Sequence, residues 1–241
     1  MKRRLVAALA CRAAGSRLYG KPLQNLDIER RTSVLGHMID LLATVPLIDE
    51  IVLGVAVGHE NEPFHEIARA RGLKSIRGDE IDVLERLIQC GEAGGATDVF
   101  RVTTESPFTY FEAIEGAWTS HREKRNDMTH LSGLPDGCGF EIITLEALKR
   151  SHREGSARHR SELCSLYIRE HREKFRIETI APAEVSRPGM RLTIDYPEDL
   201  VLCRAVYERF RDLAPRIPLA RIVEFLDSRH DLVGLVRKYT S

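Results

Sequence analysis

Several features that define common protein classes are missing from this sequence of 241 residues. No apolar run approaches the roughly 20 residues that a membrane-spanning helix needs, and the run at residues 5–10 is too short for the core of a secretory signal. The formal net charge is zero, which argues against a general nucleic-acid-binding protein, so any anion must be bound locally. We therefore expect a cytoplasmic protein that neither spans a membrane nor binds nucleic acid.

The sequence also lacks the short motifs of several common sites. Its five cysteines are scattered and form no C-x-x-C pair, so we expect reduced thiols rather than a disulfide framework or a zinc site. Neither a G-x-G-x-x-G fingerprint nor a Walker loop is present, which argues against an NAD-binding or P-loop protein. No G-x-S-x-G motif is present either, so this signature gives no support to hydrolysis.

What the sequence does contain is a regular alternation of apolar runs and helical patterns. Apolar content of 43% and charged content of 30% are ordinary for a soluble globular protein. The runs expected to form strands are residues 5–10, 51–57, 74–77, 98–103, 140–143, 175–180 and 190–194. Helical patterns separate most of them, so we predict a single α/β domain over residues 1–241, with a mostly parallel sheet and helices on both faces.

The second half of the chain is less regular. Residues 122–138 are polar and rich in turn-forming residues, and residues 152–160 have the composition of a basic, mobile loop. A helix is predicted over 162–172. Residues 218–241 are predicted to form a C-terminal tail of two short amphipathic helices, which either packs on the sheet or makes a homodimer contact.

A loop of small residues follows the first predicted strand. Residues 13–16 are bracketed by Arg12 and Arg17, and Lys21 closes the segment. A buried strand that leads into a flexible cationic loop is how α/β proteins hold a polyphosphate, because backbone N–H groups and guanidinium forks meet phosphate oxygens there. Taken alone, the pattern fits equally well a surface loop with incidental basic residues.

Two acidic residues stand just after predicted strands. Glu105 follows one apolar run and Asp195 follows another. Because the carboxyl ends of parallel strands share one edge of a sheet, both carboxylates are expected to face the same cleft. Two carboxylates together with phosphate oxygens make a Mg²⁺ site. Each residue alone also fits a helix N-cap.

Five segments resemble one family. Residues 11–21, C-R-A-A-G-S-R-L-Y-G-K, are similar to the A-R-x-x-S-[ST]-R-L-P-G-K loop of sugar cytidylyltransferases. These include the CMP-KDO and acylneuraminate synthetases and the spore-coat polysaccharide biosynthesis type. Resemblance to the spore-coat type continues, in the right order, at residues 77–86, 101–107, 135–141 and 191–200, so it covers nearly the whole chain.

The resemblance implies a GT-A-like (Rossmann-like) fold and the transfer of a nucleoside monophosphate from a nucleoside triphosphate, usually CTP, with release of pyrophosphate. It also assigns roles by motif position. The residues implied are Arg12 and Lys21 for catalysis and, with Arg17, for the triphosphate; Ser16 for holding the nucleotide; Arg77 and Asp79 near the nucleoside; Glu105 and Asp195 for Mg²⁺; and Glu141 in the acceptor pocket.

The chain departs from the family pattern at several positions. Glu105 stands where the family has Asp, Tyr19 where it has Pro, and Gly139 where it has a second acid. In residues 161–167 the Arg, His and Pro of R-E-H-V-T-P-Y are absent. Most of these losses fall on the acceptor side, whereas the basic loop is retained, so we predict a nucleotidyltransferase with an unusual acceptor.

The predicted function is Mg²⁺-dependent transfer of CMP from CTP to a sugar acid or related small acceptor, for cell-surface polysaccharide. Two alternatives stay open: a GT-A glycosyltransferase that uses a nucleotide sugar, and a catalytically impaired nucleotide-binding protein. The basic loop argues against the glycosyltransferase, because a triphosphate needs more cationic contacts than a diphosphate. The choice between cytosine and guanine and the possible homodimer are also left open.

Overall fold

The computed structural model describes residues 3–15 and 17–240 of the chain. Its centre is a seven-stranded sheet, accompanied by a two-stranded hairpin. In chain order the strands are β1 Leu5–Cys11, β2 Asn25–Asp27, β3 Thr32–Ser33, β4 Glu50–Ala56, β5 Lys74–Gly78, β6 Asp98–Arg101, β7 Met128–Leu131, β8 Glu141–Thr144 and β9 Ile177–Ile180. The hairpin is formed by β2 and β3.

The sheet has the strand order β5-β4-β1-β6-β8-β7-β9. Strand β8 pairs antiparallel with both of its neighbours, β6 and β7, whereas the other pairings are parallel. All strands of the sheet except β8 therefore run in one direction, and their carboxyl ends lie along one edge. The predicted mostly parallel sheet is confirmed, and this edge is where such folds bind ligands.

Helices cover both faces of the sheet. In chain order they are α1 Val34–Ala43, α2 Glu62–Ala70, α3 Val83–Ala93, α4 Ile114–Glu123, α5 Leu145–Glu154, α6 Leu166–Glu170, α7 Pro197–Arg209, α8 Leu219–Asp227 and α9 His230–Val236. Alternate residues of β1 enter two separate apolar clusters. Leu5 and Leu9 join the cluster of α1, α2, α4 and α7 to α9, while Val6 and Ala8 join that of α3, α5 and α6. This period of two produces the predicted α/β arrangement with helices on both sides.

Predicted helix starts are confirmed at three positions. The Ser33 hydroxyl accepts a hydrogen bond from the Gly36 N–H at 3.0 Å, and the Thr144 hydroxyl accepts one from the Ala147 N–H at 3.1 Å. Each bond satisfies an N–H group that the first helical turn leaves unpaired. Pro197 begins α7, at a position where its missing N–H is not needed.

The region predicted to be rich in turns contains a strand. Strand β7 lies within residues 122–138, where the sequence shows no apolar run. Its Thr129 is fully buried, and the Thr129 hydroxyl pairs with Nδ1 of His121 at 2.9 Å. His130 is also buried, and its Nε2 pairs with the Thr179 hydroxyl at 2.9 Å. Because hydrogen-bond partners satisfy these buried polar side chains, the strand carries no apolar signal, and the prediction of turns was wrong for β7.

Three further local predictions in the second half are wrong. Residues 190–194 form no strand of the sheet in the described chain and contribute an isolated bridge between Asp136 and Arg191. The helix predicted over 162–172 is shortened to α6. Residues 152–160 are not a loop throughout, since α5 continues to Glu154 and the buried His159 pairs with Glu170 at 2.9 Å.

The C-terminal residues 218–240 form two helices, as predicted. Helices α8 and α9 bury Leu226 and Val236 in the same cluster as α7. This packing supports the first of the two roles considered for the tail, and a homodimer contact stays a prediction. Among the helices of the described residues, none is both long and apolar enough to cross a membrane.

Candidate functional site

The loop that follows β1 is fixed at both ends. The Ala13 N–H donates to the side-chain oxygen of Asn61 at 2.7 Å, and Asn61 is buried. The Gly20 N–H donates back to the Ala13 carbonyl at 2.8 Å, and Gly20 has a φ of 58°, a conformation that favours glycine. A Cβ added at Gly15 would lie 2.5 Å from the Leu18 carbonyl oxygen. The two ends of the loop, at Ala13 and Gly20, are therefore held together before any ligand binds.

Three cations of this segment lie around one cavity. Arg12, Arg17 and Lys21 line a space of about 430 Å³, which we call the loop cavity. The Arg12 guanidinium lies 3.6 Å from the Glu162 carboxylate, and both side chains are largely exposed. Such an exposed pair contributes little stability, so it leaves Arg12 able to bind an anionic ligand. Ser16, predicted to hold a nucleotide, lies outside the described residues.

Lys21 also contacts the two carboxylates predicted to bind a metal. Its Nζ lies 2.8 Å from Oδ1 of Asp195 and 3.9 Å from Oε1 of Glu105. The Ile194 N–H donates to the Glu105 carbonyl at 2.9 Å, which ties the two segments together. The structure therefore brings Glu105 and Asp195 to one place, although residues 190–194 form no strand of the sheet.

The chemistry of this pair fits a magnesium ion. Two carboxylates face a position where a positive charge, the Lys21 ammonium, already lies between them. Mg²⁺ prefers such oxygen ligands and completes its shell with water and phosphate oxygens. Burial raises the pKa of Asp195, but hydrogen bonds from Lys21 and Arg191 outweigh burial and hold that pKa below its ordinary value. Asp195 is therefore ionised at neutral pH, as a metal ligand must be.

Arg191 joins three acidic residues beside this pair. Its guanidinium lies 2.5 Å from Asp195, 2.9 Å from Asp136 and 2.9 Å from Asp199. Arg191 is 8% exposed and Asp199 only 1% exposed, so their pairing is shielded from water. A carboxylate oxygen of Asp199 also accepts the N–H groups of Asp195 and Tyr196, each at 2.9 Å. These bonds fix the backbone that carries Asp195.

The segment that contains Asp136 approaches this network closely. The Asp136 N–H donates to the Met190 carbonyl, and the Leu192 N–H donates to the Asp136 carbonyl, both at 2.8 Å. Gly137 has a φ of +90°, and a Cβ there would lie 2.9 Å from Cβ of Thr193. Only glycine fits both the conformation and the space, which explains the P-D-G sequence of this segment.

A second cavity, which we call the Glu141 cavity, shares Glu105 with the loop cavity and has a volume of about 340 Å³. The Glu141 carboxylate accepts hydrogen bonds from Arg101 and Arg169, each at 2.8 Å, and from Ser165 at 2.7 Å. Burial raises the pKa of Glu141, but the Arg101 charge and these bonds lower it to about 2. Glu141 lines the cavity as predicted, yet its oxygens are already bonded, so the arginines offer the groups that a ligand meets.

The two residues predicted to lie near a nucleoside, Arg77 and Asp79, have local partners. Arg77 pairs with Glu62 at 2.5 Å in an exposed position. The Asp79 carboxylate accepts the N–H groups of Ile81 and Asp82, both at 2.8 Å, and these bonds lower its pKa. Neither Arg77 nor Asp79 lines the loop cavity or the Glu141 cavity, and their role toward a nucleoside stays a prediction.

A buried cation connects the loop after β1 with the segment around Asp79. Arg86 is 1% exposed, and its guanidinium donates to the carbonyls of Cys11 and Gly54 at 3.0 Å and of Glu80 at 3.4 Å. Burial lowers the pKa of this group. Arg86 therefore fixes the ends of β1 and β4 against the segment that leads into α3.

Sequence reasoning gave no role to three arginines that organise the site. Arg86, Arg101 and Arg191 each lie within a segment that resembles the family, but the roles were assigned to other residues of those segments. The available signal was a basic residue close to the apolar residues of a predicted element, such as Arg86 between Leu84 and Leu87. A charge at such a position is rarely buried unless it has polar partners.

Most of the chain matches the sequence profile of one protein family. The sequence profile of the family described as cytidylyltransferase matches residues 7–225 of this chain. This range contains the loop after β1, both carboxylates and the Arg191 network. The chain belongs to the cytidylyltransferase family. It is thus a nucleotidyltransferase that uses a nucleoside triphosphate, as predicted.

Two curated relatives are similar to this cytidylyltransferase over almost their full length. The spore coat polysaccharide biosynthesis protein SpsF of Bacillus subtilis is 25% identical over 234 residues, which cover 92% of this chain and 94% of the relative. An uncharacterised protein of Methanocaldococcus jannaschii is 24% identical over 233 residues, which cover 96% and 94%.

Solved structures share the fold at lower identity. A cytidylyltransferase from Leptospira borgpetersenii has a TM-score of 0.84 at 19% identity, with 97% of each chain covered. A CMP:2-keto-3-deoxy-manno-octonic acid synthetase complexed with CTP has a TM-score of 0.66 at 16% identity, with 86% of this chain and 99% of that chain covered. The predicted fold class is therefore confirmed.

Proposed function

We propose that this cytidylyltransferase transfers CMP from CTP to a sugar acid or a related small acceptor and releases pyrophosphate, with Mg²⁺ held by Glu105 and Asp195. The observation that carries the proposal is the position of Lys21. Its ammonium is shared by both carboxylates, and it lines the loop cavity together with Arg12 and Arg17. Phosphate-binding and metal-binding groups thus meet at one point.

The loop cavity suits a triphosphate. Arg12, Arg17 and Lys21 supply positive charge, and the closed loop presents its backbone nearby. When bound, Mg²⁺ neutralises charge on the phosphate oxygens. Glu105 and Asp195 would hold the ion, and the Lys21 ammonium would then bind phosphate oxygens. Positioning and charge stabilisation supply most of the catalysis in such transfers.

The Glu141 cavity suits an acceptor that carries an acid group. Arg101 and Arg169 together bring two positive charges to the single carboxylate of Glu141. One positive charge is therefore left in excess. The exposed part of the Arg169 guanidinium can bind the carboxylate of an acceptor in bidentate fashion. Asp195 lines the same cavity. An acceptor held between them would place its hydroxyl oxygen for attack on the α-phosphorus of CTP, with pyrophosphate leaving.

The role in cell-surface polysaccharide synthesis rests on resemblance. The Bacillus subtilis relative is named for spore coat polysaccharide biosynthesis, and the synthetase of similar fold is named for an eight-carbon keto sugar acid and was solved with CTP. These names favour CTP over GTP and a sugar acid over a neutral sugar. Cytoplasmic location and a homodimer are part of the same proposal.

Pyrophosphate release tests the proposal. CTP, GTP, UTP and ATP would each be incubated with Mg²⁺ or EDTA and with a panel of sugar acids and their neutral counterparts. We expect release only with CTP, Mg²⁺ and an acidic acceptor, and its loss in Lys21→Met. Binding of CTP without release across the panel would instead support the impaired nucleotide-binding protein, and consumption of a nucleotide sugar would support the glycosyltransferase.

A further inference from the structure

A stack of side chains connects the C-terminal segment to the loop after β1. The rings of Tyr196 and Tyr239 lie 3.6 Å apart between centroids and are inclined by only 6°. The Arg17 guanidinium lies over the Tyr196 ring, 5.0 Å from its centroid. Because Tyr239 covers one face of Tyr196 at contact distance, Arg17 occupies the other face.

The C-terminal partner of this stack is firmly attached. The Tyr239 hydroxyl donates to the Glu198 carboxylate at 3.1 Å, and Lys238 pairs with the same carboxylate at 3.0 Å. Val236, one turn earlier, is buried in the core. Tyr239 is therefore tied to the start of α7, close to Asp195.

The Arg17 guanidinium packs on this stack. In the described parts of the chain, residues 3–15 and 17–240, Arg17 forms no salt bridge, unlike Arg12 and Lys21, and its guanidinium contact is with the Tyr196 ring. A long exposed side chain otherwise samples many rotamers, and ordering it costs free energy when a ligand binds. Attraction between the cation and the ring face reduces that freedom beforehand.

Tyr196 departs from the family pattern that residues 191–200 resemble. Where the spore-coat type has Thr in the D-T-P-E-D-L segment, this sequence has Tyr196. The aromatic ring next to Asp195 thus has no counterpart in the residues that carry the resemblance.

We propose that Tyr196 and Tyr239 are positioning residues that hold Arg17 ready for the β- and γ-phosphates of the nucleotide, and so make nucleotide binding depend on the C-terminal segment. This rests on the proposed role of Arg17 in triphosphate binding. Loss of either ring is expected to raise the KM for CTP about fivefold, with little change in kcat. A fivefold change corresponds to the free energy of a moderately exposed cation–π contact. Binding of CMP, which lacks those phosphates, should not change.

The test compares ring-removing and ring-retaining variants. Tyr239→Leu and Tyr196→Leu remove the stack, whereas Tyr239→Phe and Tyr196→Phe keep it and should restore the KM. Lys238→Met is the matched control, since it removes the other Glu198 contact of the same segment but leaves the rings. For each variant, KM and kcat for CTP, the affinities for CTP and CMP by calorimetry, and the urea midpoint would be measured.

The outcomes separate this proposal from the proposed function. If the proposal holds, the Leu variants weaken CTP and not CMP, and Arg17→Met combined with Tyr239→Leu is no worse than Arg17→Met alone. Equal loss of CTP and CMP, or no loss in the Leu variants while Arg17→Met weakens CTP, would overturn the role of the stack and leave the proposed function standing. Failure of wild-type protein to bind any nucleoside triphosphate would overturn both.

Discussion

Replacing Arg191 with Met removes a guanidinium that Asp136, Asp195 and Asp199 share. Methionine keeps the apolar stem, so the change removes charge more than volume. Asp199 is 1% exposed, and removing one partner of a buried pair destabilises a protein by about 3–5 kcal/mol, because the other charge stays buried. Asp136 is exposed and contributes little, so we expect a value near the lower limit. For a domain of this size the melting temperature should fall by about 10 °C.

The loss of unfolding free energy in Arg191→Met should depend on pH in a defined direction. Arg191 helps to hold the pKa of Asp195 below its ordinary value. A depressed pKa contributes stability that is present above the unfolded value of about 4 and is lost as the pH falls through the folded value. The difference in unfolding free energy between wild type and Arg191→Met should therefore be largest near neutral pH and should narrow below about pH 4. Urea unfolding at a series of pH values measures it.

Two further variants make the comparison decisive. Arg187→Met is the matched control, since Arg187 pairs with Asp227 on the surface at 2.8 Å and should contribute less than about 1 kcal/mol. Adding Asp199→Asn to Arg191→Met should recover part of the loss, because the stranded charge is removed. If Arg191→Met loses no more stability than the control, or loses the same amount at every pH, the reasoning about this network is refuted.

Two more predictions follow from the carboxylates. The Glu105 carboxylate already lies 3.9 Å from Lys21, and Glu105→Asp shortens this side chain by about 1.5 Å. We therefore expect kcat/KM to fall by at least about tenfold and the Mg²⁺ requirement to rise. Higher activity of this variant in a pyrophosphate assay would show instead that the site is built for Asp. Glu141→Gln removes a carboxylate whose pKa is lowered to about 2, so its stabilisation is complete above the unfolded value of about 4.3 and is lost toward pH 2. Urea unfolding should show a deficit in this variant that is constant from pH 6 to 8 and shrinks in acid, and a deficit that grows in acid would contradict it.

Sequence patterns predicted the first half of the sheet well. Strands β1 and β4 are continuous apolar runs because both of their faces are covered by helices, and such runs are easily recognised in a sequence. Strand β7 has no such signal, since its buried polar side chains have hydrogen-bond partners: Thr129 pairs with His121, and His130 pairs with Thr179 of a neighbouring strand. Which polar residue finds a buried partner is decided by tertiary structure, and the sequence alone does not contain it.

The prediction that Glu105 and Asp195 lie together is correct, but the reason given for it is not. Asp195 was expected beside Glu105 because both would end parallel strands, but residues 190–194 are not in the sheet, and the bond from the Ile194 N–H to the Glu105 carbonyl brings them together instead. The three carboxylates around Arg191 and the three carbonyls around Arg86 were not foreseen. Both groups join segments more than 50 residues apart, Asp136 with Arg191 and Cys11 with Arg86, which no local pattern predicts.

The central claim is that Glu105 and Asp195 hold Mg²⁺ for a nucleoside triphosphate bound by the loop after β1. Titration calorimetry of CTP into the wild-type protein and into Asp195→Asn, each with Mg²⁺ and with EDTA, tests it most directly. We predict that wild-type protein binds CTP more tightly with Mg²⁺, and that Asp195→Asn loses this gain, at least about tenfold in affinity. Equal CTP affinity with Mg²⁺ and with EDTA in the wild type, or an undiminished gain in Asp195→Asn, would contradict the claim.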